Sequence, residues 1–486
     1  MDEASAGGQA APWPRHRAAW PADAQPHLLI RCFWCQKHVS TVIEASFCWQ
    51  KHRIPAGTPV DARVISSGVR TDGPLLTRRG LVCGAWSCLL TAQAFAAGVF
   101  TNRADPGLGG LFNDFADYWA AARILDLGGD PYDKHLLGQV LQQNGLHTLV
   151  GTGYSYPLLL AELLRPLGLL PAPAAAALFT AGSLACLGLA VALLLSPLRT
   201  ASRWQLLALA TAAGTYAPAG GSLYMGQVNL YLLPLLALAL RGTARPAGLA
   251  VAAAVKLFPA ATALAFLAEG RRGLRPLLVT LAVTLGLVLG PNLVTGHWSY
   301  GGSLVEMFGT DPYWTNQSLN GWLSRVLPAA APVTPLMVAL ASALGALAVA
   351  VAARQRGSWP GAFAVLLCYA VVAAPKNSLW NFAPLLVVMA YTWTLVRHQP
   401  RAVAVLAAAW ALADATGPAI WLAGSAGVHT PWLTSLPLYG GLLLGGLLSW
   451  ALLRAPRAEP DDVAHGRAGP GDPRRGDRQR EWLGAS

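Results

Sequence analysis

Residues 172–195 read APAAAALFTAGSLACLGLAVALLL, twenty-four consecutive positions without a charge. At about 1.5 Å per residue a helix of this length is roughly 36 Å long, enough to cross the ~30 Å hydrocarbon core of a bilayer. The pattern recurs along the chain. Runs at 81–100, 204–218, 222–240, 276–294, 333–353, 360–374, 379–396, 402–422 and 436–453 have the same apolar character. Of the 486 residues, 54% are hydrophobic and 12% are charged, far below the roughly 25% charge of soluble domains. Mean hydropathy is +0.43. The sequence therefore specifies an all-α polytopic membrane protein and excludes a soluble enzyme.

The formal net charge is +12, but its placement argues against a nucleic-acid partner. The arginines sit at both ends of the chain and in short connections: Arg78 and Arg79, Arg199 and Arg203, Arg241 and Arg245, Arg271, Arg272 and Arg275, Arg354 and Arg356, Arg397 and Arg401. Basic connections stay cytoplasmic. Residues 101–153 instead carry Asp105, Asp114, Asp117, Asp126, Asp130 and Asp133 against Arg103, Arg123 and Lys134, as expected of an outer-face loop. Segments 296–332 and 417–431 should face outward too. Residues 1–79 read as a cytoplasmic leader, 80–454 as the transmembrane domain, and 455–486 as a disordered cytoplasmic tail too poor in apolar residues to fold alone.

One segment resists single crossing. Residues 246–268 have arginines at both ends and contain Lys256 and Pro259, so a hairpin is the expected solution, broken where proline removes a helix hydrogen bond. Residues 156–170 are short and carry Glu162 and Arg165. Ten crossings follow, or twelve if both segments span. Either number leaves both termini in the cytoplasm.

Cys83, Cys88, Cys186 and Cys368 lie in apolar runs, where cysteine packs as a small hydrophobe. Cys32, Cys35, His38, Cys48 and His52 have soft-ligand chemistry suited to zinc. The alternative for that segment is an unstructured leader. No metal site is expected in the outer loops.

Within 101–153, a helix through Asn113-Asp114-Phe115-Ala116-Asp117-Tyr118-Trp119 places Asp114, Asp117 and Tyr118 on one face. A carboxylate beside aromatic rings at the membrane surface can act as general base toward a hydroxyl. The competing reading is a loop helix with solvated acids. Lys256 costs roughly 2.5–3.5 kcal/mol at the centre of a membrane helix, which marks it as functional, with snorkelling as its alternative. Gln227 and Asn229 suit interhelical hydrogen bonds, and sugar contact is the second reading.

Several motifs in order carry a resemblance to glycosyltransferase family 87, of the GT-C class. They are Asp114-Phe115-Ala116-Asp117-Tyr118 with Gly129-Asp130-Pro131-Tyr132, the pair Tyr156-Pro157, Gly226-Gln227-Val228-Asn229, Lys256-Leu257-Phe258-Pro259, and Asn316-Gln317-Ser318-Leu319-Asn320-Gly321. Together they run through residues 81–396. The resemblance implies a GT-C-type bundle of about 10–12 transmembrane helices with amphipathic helices in an outer loop. It implies transfer of a hexose, mannose first and arabinofuranose as the nearest variant, from a polyprenyl-phosphate carrier to a lipid or glycan acceptor at the outer face of the plasma membrane. No cofactor is implied, since the polyprenyl-phosphate sugar is a substrate.

Carried over by residue, Asp114 is the base and Asp117 its runner-up, while Tyr118, Arg123, Tyr132, Tyr156, Gln227, Asn229, Lys256, Asn316, Gln317, Asn320, Arg325 and Asn381 bind substrate. Lys256, Arg325 and the 316–320 amides would meet the phosphate. Similar proteins often have histidine in a Ser-Trp-x-His element, where this chain has Asn377-Ser378-Leu379-Trp380-Asn381. That departure keeps an inactive scaffold as one rival, and broken helices with a buried ion keep a transporter or flippase as another.

Overall fold

In the computed structural model the described residues are 74–102, 111–146, 153–328, 330–355, 358–416 and 430–454. The leader with its zinc candidates and the tail lie outside them. Among the described residues the secondary structure is helical, with one isolated bridge between Asn316 and Ser378. Six stretches are long and apolar enough to cross a membrane: Arg78–Ala97, Ala172–Leu195, Arg271–Thr295, Val333–Arg354, Leu379–Val396 and Leu433–Arg454. Asn229–Leu240, Arg245–Val255, Phe258–Glu269 and Trp359–Ala373 are shorter apolar helices. The expected polytopic bundle is present, with its shorter members broken.

In chain order the helices are α1 (Arg78–Asn102), α2 (Asn113–Asp126), α3 (Lys134–Gln143), α4 (Leu158–Gly168), α5 (Ala172–Leu195) and α6 (Arg203–Gly214). Then come α7 (Ala217–Met225), α8 (Asn229–Leu240), α9 (Arg245–Val255), α10 (Arg271–Thr295), α11 (Tyr300–Glu306) and α12 (Leu319–Val326). The last five are α13 (Val333–Arg354), α14 (Trp359–Ala373), α15 (Leu385–Val396), α16 (Pro400–Asp414) and α17 (Leu436–Arg454). Apolar tails give no hydrophobic drive between helices in lipid, so small residues and polar pins hold them. Ser87 and Thr91 of α1 donate to the Ala210 and Gly214 carbonyls of α6, both at 2.7 Å. Arg241, just past α8, donates to the carbonyls of Pro74, Leu75 and Leu193, tying three segments at one end of the bundle.

Two expected spans are corrected. Neither 204–218 nor 222–240 is one helix. Pro218 starts α7 after an extended Tyr216, and Gly226 ends it in the left-handed region at φ 67°, a conformation that glycine adopts without steric penalty. The chain then restarts as α8. The expected span 379–396 begins as a 3-10 turn at Leu379–Phe382 and becomes α-helical at Leu385, past Pro384. Residues 156–170 yield an eleven-residue helix, α4, with Pro166 inside it.

The hairpin expectation holds in the geometry. Arg245, at the start of α9, forms an ion pair with Glu269, the last residue of the returning 3-10 helix Phe258–Glu269. Lys256 stands at the turn, extended at φ −149° rather than within a helix. Eleven residues of α-helix put it roughly 16 Å from the Arg245 end, and twelve put Asn229 roughly 18 Å from Arg241. Both therefore reach one level inside the bundle, which positions the site.

The hairpin predicts that single cysteines at Ala244 and Gly270, in a cysteine-free background, react with impermeant maleimide from the same side of the membrane. Labelling of the two from opposite sides would refute the re-entrant path.

Candidate active site

Breaks in helices leave backbone and side chains unpartnered, and here four such breaks converge. Gln227 and Asn229 lie at the α7–α8 break, Lys256 at the hairpin turn, Asn381 in the 3-10 turn, and Tyr156 just before α4. The Lys256 ammonium donates to Asn381 Oδ1 at 2.6 Å, Asn229 Oδ1 at 2.8 Å and Gln227 Oε1 at 3.4 Å. An ammonium has three N–H donors, so three amide oxygens occupy all of them. Its charge also lies 5.6 Å from the centre of the Tyr156 ring, within cation–π range. The Tyr156 and Tyr118 hydroxyls donate to Gln227 Oε1 at 3.0 and 3.4 Å. Asn229 donates onward to Asn381 Oδ1 and the Trp380 carbonyl.

Helix α2 docks onto this hub. A Cβ on Gly226 would come within 2.4 Å of Phe115 Cβ, so the glycine serves the turn and also the close approach of α2. Eleven of the fourteen residues of α2 are buried, which removes the reading of a solvated loop helix. The Phe115 ring lies 4.9 Å from Phe179, seven residues along α5 from Ala172 and so roughly 10 Å below that end. The first turn of α2 is thus recessed within the bundle rather than perched on its rim.

The loop's acids sort by partner. Asp126 pairs with Arg165, Asp130 accepts from the Tyr132 amide and the Ser299 hydroxyl, and Asp133 caps α3. Asp117 is buried, whereas Asp114 is half-buried and so remains reachable. Burial pushes the Asp114 carboxyl up to about 6, against the Asn113 amide and the Lys256 charge, which pull it down. Tyr118, Tyr156 and Lys256 all feel the Asp114 charge.

Of the residues expected at the site, Asp114, Asp117, Tyr118, Tyr156, Gln227, Asn229, Lys256 and Asn381 are brought together. The others are not. Arg325 donates to the Tyr313 and Asn316 carbonyls and to Ser435 Oγ. Asn316 accepts from Ser318 and the Asn377 amide, Gln317 donates to the Trp314 and Thr434 carbonyls, and Asn320 donates to the Gly309 carbonyl. This second cluster stitches α12 to the chain around 375–378 and 431–435. Arg123 donates to the Gly168 carbonyl over the Trp119 ring, and Tyr132 donates to the Tyr156 carbonyl and packs on Tyr154 and Tyr300.

Four contributors escaped the sequence reading. Ser222 accepts from Asn229 and donates to the Trp380 carbonyl; its position one turn before Gly226 was a usable signal. Tyr154 ties the entry to α4 through the Pro157 carbonyl and the Ala161 amide. Asp414 accepts from the Ala217 amide at 2.6 Å, which meets one of the free N–H groups at the N-terminus of α7. The Trp380 carbonyl is backbone and leaves no trace in sequence.

Residues 154–375 match the family model of glycosyltransferase family 87, so this part of the chain is a domain of that family, and the match implies a membrane glycosyltransferase. It contains Tyr156, Gln227, Asn229 and Lys256, and it begins beyond Asp114 and ends before Asn381. No curated protein sequence and no solved structure matches the chain.

Gly226→Ala should lower stability by on the order of 2 kcal/mol, from left-handed strain plus overlap with Phe115. Thermal unfolding in detergent checks this, and an unchanged midpoint would show that α2 does not depend on that approach.

Proposed function

With residues 154–375 forming a glycosyltransferase family 87 domain, we propose that the protein transfers a hexose, mannose first, from a polyprenyl-phosphate carrier to a lipid or glycan hydroxyl on the extracytoplasmic face of the plasma membrane. The observation carrying this reading is the half-buried Asp114 carboxyl held beside the Lys256 hub by the Gly226–Phe115 contact. Asp114 accepts the proton of the acceptor hydroxyl as that oxygen forms a bond to the anomeric carbon. The bond from that carbon to the phosphate oxygen breaks, and its electron pair leaves with the polyprenyl phosphate. Displacement on the opposite face inverts the anomeric centre. Charge develops on the phosphate as it leaves, where oriented donors are most effective. The partly exposed Tyr156, beside the hub, is the aromatic residue placed to contact the sugar.

The re-entrant hairpin with a buried lysine favours a second reading, a transporter or flippase. Under that reading purified protein moves a lipid-linked sugar between leaflets and makes no new glycosidic bond.

Two outcomes test the transfer reading in proteoliposomes supplied with labelled polyprenyl-phosphate hexoses and membrane-lipid acceptors. Asp114→Asn should reduce transfer by about 10²-fold or more, as for loss of a general base; a native rate would remove Asp114 from that role. The base works only when ionised, so transfer by the native chain should fall as pH drops through about 6 and level off above it. A rate independent of pH between 5 and 8 would contradict the assignment.

A further inference from the structure

The hub's strongest cation has no donor left to offer a ligand, and that fact orients its neighbours. Lys256 can only donate, so the amides of Gln227 and Asn381 must turn their oxygens toward it. Gln227 Oε1 is fixed further by the Tyr118 and Tyr156 hydroxyls, and Asn381 Oδ1 by the Asn229 amide. The opposite ends of both amides, Gln227 Nε2 and Asn381 Nδ2, therefore point away from the ammonium.

Neither nitrogen has an acceptor among the described residues, although the two side chains are only 4% and 8% exposed. Neither is among the sealed polar atoms of the packed interior, so both border accessible space. Asn229 differs, because its nitrogen is taken by Ser222, Trp380 and Asn381. An amide donor that borders accessible space is met there by water or by a ligand, and two such donors beside one positive charge suit an anion with several acceptor oxygens. Asp114 answers that charge from the α2 side, and a phosphate can in addition offer an acceptor oxygen to each of the two amides at once. Arg325 cannot answer an anion here, being committed to two carbonyls and a hydroxyl elsewhere.

We propose that the Gln227 and Asn381 amide nitrogens form an anion seat for a phosphate group, with Lys256 behind them as the charge that orients and polarises both amides. The seat deepens the transfer reading and rests on it for the identity of the phosphate, which is a lipid-linked monoester or diester or else free phosphate. Lys256 is then a positioning residue, and Asn381 supplies a neutral donor with no proton to exchange.

The test measures binding without turnover, using the full chain in lipid nanodiscs and three probes: polyprenyl monophosphate, the polyprenol of equal length, and inorganic phosphate. Gln227→Glu and Asn381→Asp each keep an oxygen facing Lys256 and exchange the donor for a carboxylate oxygen, which also sets a negative charge at the seat. Either should weaken polyprenyl monophosphate binding by roughly tenfold or more, the equivalent of one charge-assisted hydrogen bond, while polyprenol binding stays unchanged. Inorganic phosphate that binds as tightly as the lipid form assigns the seat to free phosphate, and a clear preference for the lipid form assigns it to the carrier. Native protein that binds polyprenol as well as its phosphate overturns the seat without any variant, as does a natively stable Glu or Asp variant with unchanged phosphate affinity. The readout does not involve Asp114, so failure of the seat leaves the transfer reading intact, and failure of Asp114 as base leaves the seat standing.

Discussion

A lysine amine inside the bundle is the constraint to which the rest of the structure answers. An isolated ammonium in such surroundings is strongly unfavourable, and Lys256, at the hairpin turn, meets three amide oxygens, two from the α7–α8 break and one from the 3-10 turn. Each break exists because of a particular residue. Gly226 turns the chain in a left-handed conformation, Pro259 opens the 3-10 return of the hairpin, and Pro384 follows the short turn that carries Asn381. Irregular backbone at membrane depth is tolerated where protein encloses it, and here the oxygens at the breaks converge on the Lys256 ammonium while two amide nitrogens are left to face a ligand.

That arrangement links fold to chemistry. Because Lys256 is held by neutral oxygens, its charge is not cancelled within the hub and acts outward on Asp114. The carboxyl is drawn two ways, upward by burial and downward by the ammonium and by Asn113, which leaves it ionised near neutral pH and still basic enough to take a proton. The loop helix bearing it comes close only because Gly226 has no side chain. One glycine thus makes the turn that presents Gln227 and also clears the seat for α2.

The fold was legible wherever a helix lies continuously in lipid. Residues 172–195 form a helix with the bounds that their charge-free run suggests, and the arginines at both ends of 246–268 already require a hairpin. Spans at 204–218 and 222–240 were misread as continuous because apolar character persists through Pro218 and Gly226, so hydropathy does not register the break. Motif order singled out Gln227, Asn229, Lys256 and Asp114, which the structure gathers in one place. It could not separate them from Asn316, Gln317, Asn320 and Arg325, which have the same residue types in an equally polar stretch but bond mainly to backbone carbonyls. Which amide faces a cation and which pins a loop depends on contacts more than a hundred residues apart, as between Lys256 and Asn381. Partners such as the Trp380 carbonyl have no side-chain signature at all.

The most direct measurement is the thermal midpoint and the transfer rate of Lys256→Met, a replacement of similar length without charge. A lower midpoint is expected, because Gln227, Asn229 and Asn381 lose a shared donor, together with loss of transfer. A Lys256→Met protein that unfolds at the native temperature and transfers sugar at the native rate would contradict it.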